Sequence, residues 1–402
     1  MGGGLNVTRL ADGTIFYEKT LSAFGGSQDP LTRSLTNIGL FVPMDILCST
    51  FSRARVSVLD KDGKVLENDP FTLLLKDPNF SQSQTDFLYK HLWFKSLGRN
   101  ITRVLSSSST NPNDITKVMS LEHLIPNCIN DKEINKMPKM KLASSDKREL
   151  LKREIEYKTS GTSRKIPLSE LAFFYDIANG MTDDSYFSSP SRITALEPTL
   201  CNIEEAQRAK NINLKFSAKF LTSNRTMDMS VVQDMSAQEK RDVENILYNK
   251  DVHASNYNLD VKSLANDFSK LLYDDSTASD MAKAASLFGI NSDTINWWAA
   301  GQSTYDNRIM GYLDLIQGSI QFAADDFANT WATYFGYHKE SKTIKLSYDH
   351  MPAMAVMEEK RLEAKERKSK MLEKLIKSNV PYEQAMIICE LDKELKDDGK
   401  NR

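Results

Sequence analysis

The chain has 402 residues and a formal net charge of -2, with 40% hydrophobic and 26% charged residues. That composition belongs to a folded protein of two or three domains at about 150 residues each, and it excludes wholesale disorder. The near-zero charge leaves no global excess that would call for nucleic acid or an anionic membrane surface.

The first residues, MGGGLNVTRLADG, lack the apolar core of a signal peptide. Asn6 stands where N-myristoylation needs Ser or Thr, so the segment reads as a flexible start. Residues 36–60 read as a helix, with Pro43 in its first turn, feeding an alternating strand at 55–59. Asp60-Lys61-Asp62-Gly63-Lys64 is tight-turn chemistry. Asp69-Pro70 opens a short helix carrying Leu73, Leu74 and Leu75. Asp77-Pro78-Asn79 closes it, because the residue before proline is pushed out of the α region. Ser83 or Thr85 caps the next helix, which carries Phe87, Leu88, His91, Leu92, Phe94 and Lys95 and stops at Gly98. Strands are expected at 99–105, 120–129, 154–158 and 171–177. Residues 131–165 hold 11 Lys/Arg against 6 Asp/Glu, a local +5. Two readings stand there: a solvated insertion with a short exposed helix, or a surface for a phosphate backbone or an acidic partner.

From residue 190 the pattern is mainly helical. Pro198 suits the first turn of a helix. Residues 214–220 fit both a strand and a helix end. Ser236-Ala237-Gln238-Glu239 is a capping box for a helix through Tyr248. Another helix is expected over about 260–288, ending at Gly289, and a loop over 290–307 with Trp297 and Trp298. Ile309, Leu313, Ile316, Ile320, Phe327, Trp331 and Phe335 then fall in steps of four and three, with Ala323 or Ala324 in the gap. About 28 helical residues at ~1.5 Å each give a rod of ~40 Å, with Gly311 and Gly318 as weak points where it can bend. Its apolar stripe reads as core packing. Residues 356–378 form a charged helix with i,i+4 Glu/Lys pairs, and Val380-Pro381 breaks it before a last helix.

Chemistry-bearing motifs are absent. GxGxxG, GxxxxGK[ST], GxSxG and HExxH do not occur, so no cofactor is implied. Cys48, Cys128, Cys201 and Cys389 make no CxxC pair and read as free thiols in a reduced compartment. The five histidines have no zinc-ligand spacing. No apolar run nears the ~20 residues that span a bilayer, so no membrane partner is expected. Asp183-Asp184, Asp274-Asp275 and Asp325-Asp326 are adjacent acids, which on a helix diverge by about 100° rather than converge on one ion. Asp325-Asp326 is expected on a solvated or intersubunit face. A soluble enzyme with a site built from dispersed residues is the weakest alternative.

Five stretches occur in an order shared with one family. They are VPMDILCSTFSRARVSVLDKDGKV, LLLKDPNFSQSQTDFLYKHLWFKSLGRN, SLEHLIPNCI, EIEYKTSGTSRKIPLSELAFFYDI and MAKAASLFGINSDTINW. Over about residues 36–337 the chain resembles the portal (head-to-tail connector) proteins of tailed double-stranded DNA phages. It departs from the family at Gly98-Arg99-Asn100-Ile101, where the aromatic after Gly-Asn is missing. It departs also at Phe187-Ser188-Ser189-Pro190, which lacks a glycine, and at Gly289-Ile290-Asn291-Ser292, which lacks a proline. The resemblance implies an α+β, predominantly helical fold in a ring, usually a dodecamer, at one capsid vertex of the virion, assembled in the host cytoplasm. It divides the chain into an N-terminal arm and α/β wing (1–190), a stem helix (191–221), a clip (222–258), a second stem helix (259–289), a tunnel loop (290–307), a long wing helix (308–349) and a helical crown (350–402). The partners implied are DNA in the channel, the large terminase, capsid protein and a head-tail adaptor. Trp297, Trp298, Gln302, Ser303, Thr304 and Asn307 would face DNA, and Arg225, Lys240, Arg241 and Lys250 would lie on the clip's docking surface. Another virion structural or adaptor protein is the nearest alternative.

Overall fold

The computed structural model describes residues 5–9, 15–19, 29–107, 112–130, 151–159, 161–178, 187, 189–216, 220–223, 259–262, 273–291, 294–295 and 305–378. They divide between two units: Met1–Ser27 with Pro198–Met281, and Gln28–Glu197 with Ala282–Arg402.

The expected flexible start is instead a hairpin. Strands β1 (Leu5–Arg9) and β2 (Ile15–Lys19) pair antiparallel, with Leu5 opposite Lys19. LNVTR alternates in polarity over its first four residues and IFYEK opens on a β-branched and two aromatic residues, both of which suit a strand.

In the larger unit, caps set where the helices start. Asp29 accepts from the Thr32 N–H at 2.9 Å and opens α1 (Pro30–Thr36). Asn37 accepts from Gly39 at 2.9 Å and opens α2 (Ile38–Phe51). This cap moves Pro43 from the expected first turn to the helix interior, where its missing N–H leaves the Gly39 carbonyl without a helical donor. Strand β3 (Arg55–Leu59) follows, and Asp60 Oδ1 then accepts from the N–H groups of Asp62 and Lys64, at 2.9 Å each, with Gly63 at φ +76°. Asp69 caps α3 (Pro70–Lys76). Ser83, not Thr85, caps α4 (Gln84–Ser96) in a reciprocal box with Asp86.

Strands β4 (Arg99–Ser106) and β5 (Val118–His123) pair antiparallel. The strand expected over 120–129 breaks after His123, because Pro126–Cys128 forms a 3-10 turn before β6 (Ile129–Asn130). Strands β7 (Glu154–Thr159) and β8 (Thr162–Pro167) extend β6 into the sheet β6-β7-β8, so the C-terminal part of the basic segment is a hairpin. Strand β9 (Leu171–Tyr175) pairs with β4, giving the sheet order β5-β4-β9.

Helix α5 (Glu197–Phe216) has Pro198 in its first turn, and β10 (Phe220–Ser223) follows it. The ambiguous stretch 214–220 therefore ends one element and begins the next. Strand β11 (Leu259–Lys262) pairs antiparallel with β10. The helix expected from about 260 is thus a strand at its start, since Leu-Asp-Val-Lys alternates and has a partner; α6 (Tyr273–Leu287) begins later.

The long helix runs as α7 (Tyr305–Leu315), a π-helical turn (Ile316–Ile320) around Gly318, and α8 (Gln321–Phe335), ended by Gly336 at φ +76°. Strand β12 (Thr343–Ser347), missed in the sequence, pairs antiparallel with β3, Thr343 opposite Leu59. Helix α9 (Pro352–Lys377) is the charged segment, with its Glu363–Arg367 and Glu366–Lys370 pairs at i,i+4.

The core lies under α8. Phe51, Phe71, Phe87, Phe327 and Trp331 are fully buried and Phe174 almost so. Ring centroids of Phe174 stand 5.9 Å from Phe327 and 5.5 Å from Trp331. Each such ring contributes about 2–3 kcal/mol through burial. Every member of the expected stripe from Ile309 to Phe335 is buried, so that stripe is core.

Candidate functional site

A cleft of about 320 Å³ opens in the larger unit beside the π-helical turn. Helix geometry sets its walls. Leu92 and Lys95 sit a turn apart near the end of α4, and the π-turn carries Ser319 to the same place. Leu47, Leu92, Phe322 and Ala323 form the apolar wall. Phe322 is 67% exposed at its lip, with the Lys95 ammonium 6.0 Å from its ring centre.

Two ion pairs make the polar wall. Lys95, its side chain 4% exposed, donates to Asp326 Oδ2 at 2.6 Å. Asp326 is partly exposed, with Asp325 beside it exposed, as a solvated face requires, and it also neutralises a buried ammonium within its own chain. Arg192 Nε donates to Asp176 Oδ1 at 2.8 Å, and the Arg192 backbone N–H also reaches Asp176. Both cations are compensated, so the cleft offers no bare charge to a small anion.

Two close approaches fix the start of the long helix. A Cβ on Gly289, at φ +73°, would meet Ser319 Oγ at 2.2 Å, and one on Gly311 would meet Thr294 Oγ1 at 2.3 Å. Ile290, Thr294 and Ile295 are buried and Asn291 is exposed, so most of the described start of the expected tunnel loop packs as core. Asn307 is not in a loop: it lies in the first turn of α7, exposed. Helical spacing already reaches back to Tyr305, which is why the loop ends earlier than expected. Trp297, Trp298, Gln302, Ser303 and Thr304 lie outside the described residues, as do Arg225, Lys240, Arg241 and Lys250.

A buried polar knot lies behind α4 and was invisible in the dispersed histidines. Asn100 Nδ2 lies 2.9 Å from His91 Nδ1 and 3.1 Å from His123 Nδ1, and Thr102 Oγ1 lies 2.8 Å from His123 Nδ1. His123 Nε2 reaches the Phe87 carbonyl at 3.0 Å, so Nε2 carries the proton and Nδ1 accepts. Burial pushes both imidazoles down, His123 to about 3 and His91 well below its ordinary value, so both are neutral. Among the described residues, no three His, Cys, Asp or Glu side chains converge as a metal site would require.

No protein-family model matches the chain, and no curated protein does. Solved structures do. One is a chain from the neck of an empty gene transfer agent particle computed with C6 symmetry: TM-score 0.61 at 15% identity, over 90% of this chain and 97% of that one. Another is from the neck of the native particle computed with C12 symmetry: TM-score 0.57 at 14% identity, over 90% and 94%. A third, from the virion of the native particle, gives 0.56 at 14% identity over 89% and 94%. The likeness spans nearly the whole of both chains, and at this identity it establishes the fold: the chain folds as these particle chains do.

Proposed function

We propose that the chain is a portal protein: a subunit of a ring at one capsid vertex through which double-stranded DNA is packaged and ejected. One observation carries the reading. A fold shared over nearly the full length with neck chains coincides with five sequence stretches in portal order. The C12 symmetry of one neighbouring particle neck supports a ring of twelve.

In this reading the protein is a structural conduit and the motor is a separate terminase chain. The channel passes DNA of any sequence, so its wall avoids the phosphate contacts that would each add salt-dependent affinity. Trp297, Trp298, Gln302, Ser303, Thr304 and Asn307 face the duplex without positive charge. Arg225, Lys240, Arg241 and Lys250 belong to the clip that docks terminase during packaging and a head-tail adaptor afterwards, while the N-terminal half meets capsid protein. The setting is the virion, after assembly in the host cytoplasm. The neighbours' description as a particle neck also fits a second reading, an adaptor subunit.

Negative-stain micrographs of the purified chain test the choice. The portal reading expects closed rings of about twelve subunits with a central channel. A stable monomer at high concentration, or ATP hydrolysis by the chain alone, would overturn it.

A further inference from the structure

One large apolar side chain on the larger unit is almost wholly in solvent. Phe80 is 99% exposed, and Met119 nearby in sequence to its anchor strand is 70% exposed. The loop carrying Phe80 is not loose. Pro78 and Asn79, the two residues before Phe80, are buried, and the Pro78 carbonyl accepts from Leu121 N–H at 2.7 Å. Asn79 Nδ2 donates to the Leu121 carbonyl and to Gln82 Oε1, at 2.9 Å each. Asn79 Oδ1 accepts from Ser81 N–H at 3.1 Å and from its hydroxyl at 3.0 Å. The chain therefore bears the hydrophobic cost of an exposed phenyl ring on a preorganised backbone, which is how a binding anchor is built.

The same unit carries a receptor of matching chemistry. The cleft beside the π-turn holds about 320 Å³, at the lower edge of the 300–1,000 Å³ typical of small-molecule sites, and it suits one inserted side chain. Its apolar wall of Leu47, Leu92, Phe322 and Ala323 is bordered by paired charges, the pattern of an apolar anchor position within a polar rim. Phe322 at the lip is the ring on which an incoming phenyl would stack.

The anchor precedes the first turn of α4, and the cleft lies at its last turn, about 18 Å further along at 1.5 Å per residue. A copy cannot fill its own cleft. We propose that Phe80 of one copy inserts into the cleft of the next, against Phe322. Anchor and cleft are different patches, so the contact is head-to-tail, and repeated about an axis it closes a ring. This rests on the ring reading above and adds the contact that would close it.

The test uses the full chain. Phe80 is 99% exposed among the described residues, so Phe80→Ala is expected to melt with the wild type while raising the concentration needed for rings at least tenfold. Phe80→Leu is expected to restore most of the loss, and Phe322→Ala to weaken assembly in the same direction. In a Cys201→Ser background, which removes the exposed native thiol, a Phe80→Cys/Ser319→Cys double variant gives a ladder of linked subunits on a denaturing gel under mild oxidation, where each single variant stops at dimers. Rings from Phe80→Ala at wild-type concentrations, without a ladder from the double variant, overturn this contact and leave the ring standing. Rings from Phe80→Ala that no longer bind procapsids would make Phe80 a capsid contact and also overturn it. A wild-type chain that forms no rings removes the portal reading itself.

Discussion

Lys95 and Asp326 carry opposite risks although they form one pair. The Lys95 side chain is 4% exposed and that of Asp326 38%. Asp326→Asn strands a buried ammonium, and the partly open acceptor side limits the cost to about 2 kcal/mol. Lys95→Met strands a carboxylate that water already reaches, and it costs under about 1 kcal/mol. Urea midpoints of the two variants check the order. The histidine knot predicts an acid limb. Its imidazoles are neutral when folded, His123 with its pKa lowered to about 3 by burial. An unfolded histidine titrates near 6.5, so below that pH the unfolded chain binds more protons. Stability is then full above about pH 6.5 and falls as the pH drops toward 3. His123→Gln lowers stability at pH 7 but flattens this fall, which urea midpoints at pH 7 and pH 5 would reveal. Lys95 was visible in the sequence only as one position in a helix. Its partner lies 231 residues away, and no local pattern announces such a pairing.

Two glycines along the long helix system separate their roles by what a methyl group would meet. Gly289→Ala adds a Cβ 2.2 Å from Ser319 Oγ at a positive φ, and costs about 1–3 kcal/mol. Gly318→Ala meets nothing within 4 Å and is neutral to stabilising, by up to ~1 kcal/mol. Adding Ser319→Gly to Gly289→Ala recovers the steric part and leaves the backbone part. Thermal melts of the three variants read the order directly. The irregular turn at Gly318 was legible as a weak point inside the stripe, and so was the cap at Asp69, whereas Ser83 and Thr85 stood as alternatives for the next cap. Pro43 was misplaced because the Asn37 cap upstream decides where α2 begins. Strands β11 and β12 escaped notice because both are short and pair with residues far along the chain. The cleft was illegible for the same reason: its walls come from α2, α4, the stretch around Asp176 and Arg192, the π-turn and the start of α8.

At the scale of the whole molecule, α9 has more apolar surface than the described residues cover. Leu362, Met371 and Ile376 are 58%, 49% and 43% exposed, whereas Met351 and Ala353 at its start are buried. A chain cut after Met357 is therefore expected to keep its unfolding free energy, read by denaturant titration, within about 0.5 kcal/mol of the full chain. It should nevertheless close fewer rings in micrographs, because neighbouring copies supply the missing cover.

The β3–β12 pairing also sets a clock. Leu59 lies opposite Thr343, so the ladder joins segments on opposite sides of the chain's middle. The ribosome adds about 5–20 residues per second, and the roughly 280 residues between the strands take about 15–60 s to make. Until residue 347 emerges, β3 waits with an open edge, and Phe51 lacks the Tyr348 hydroxyl that bonds its carbonyl. A nascent chain thus cannot present a finished larger unit before most of its length exists. Prematurely terminated products are left with unpaired strand edges, prey for chaperones and proteases rather than defective building blocks.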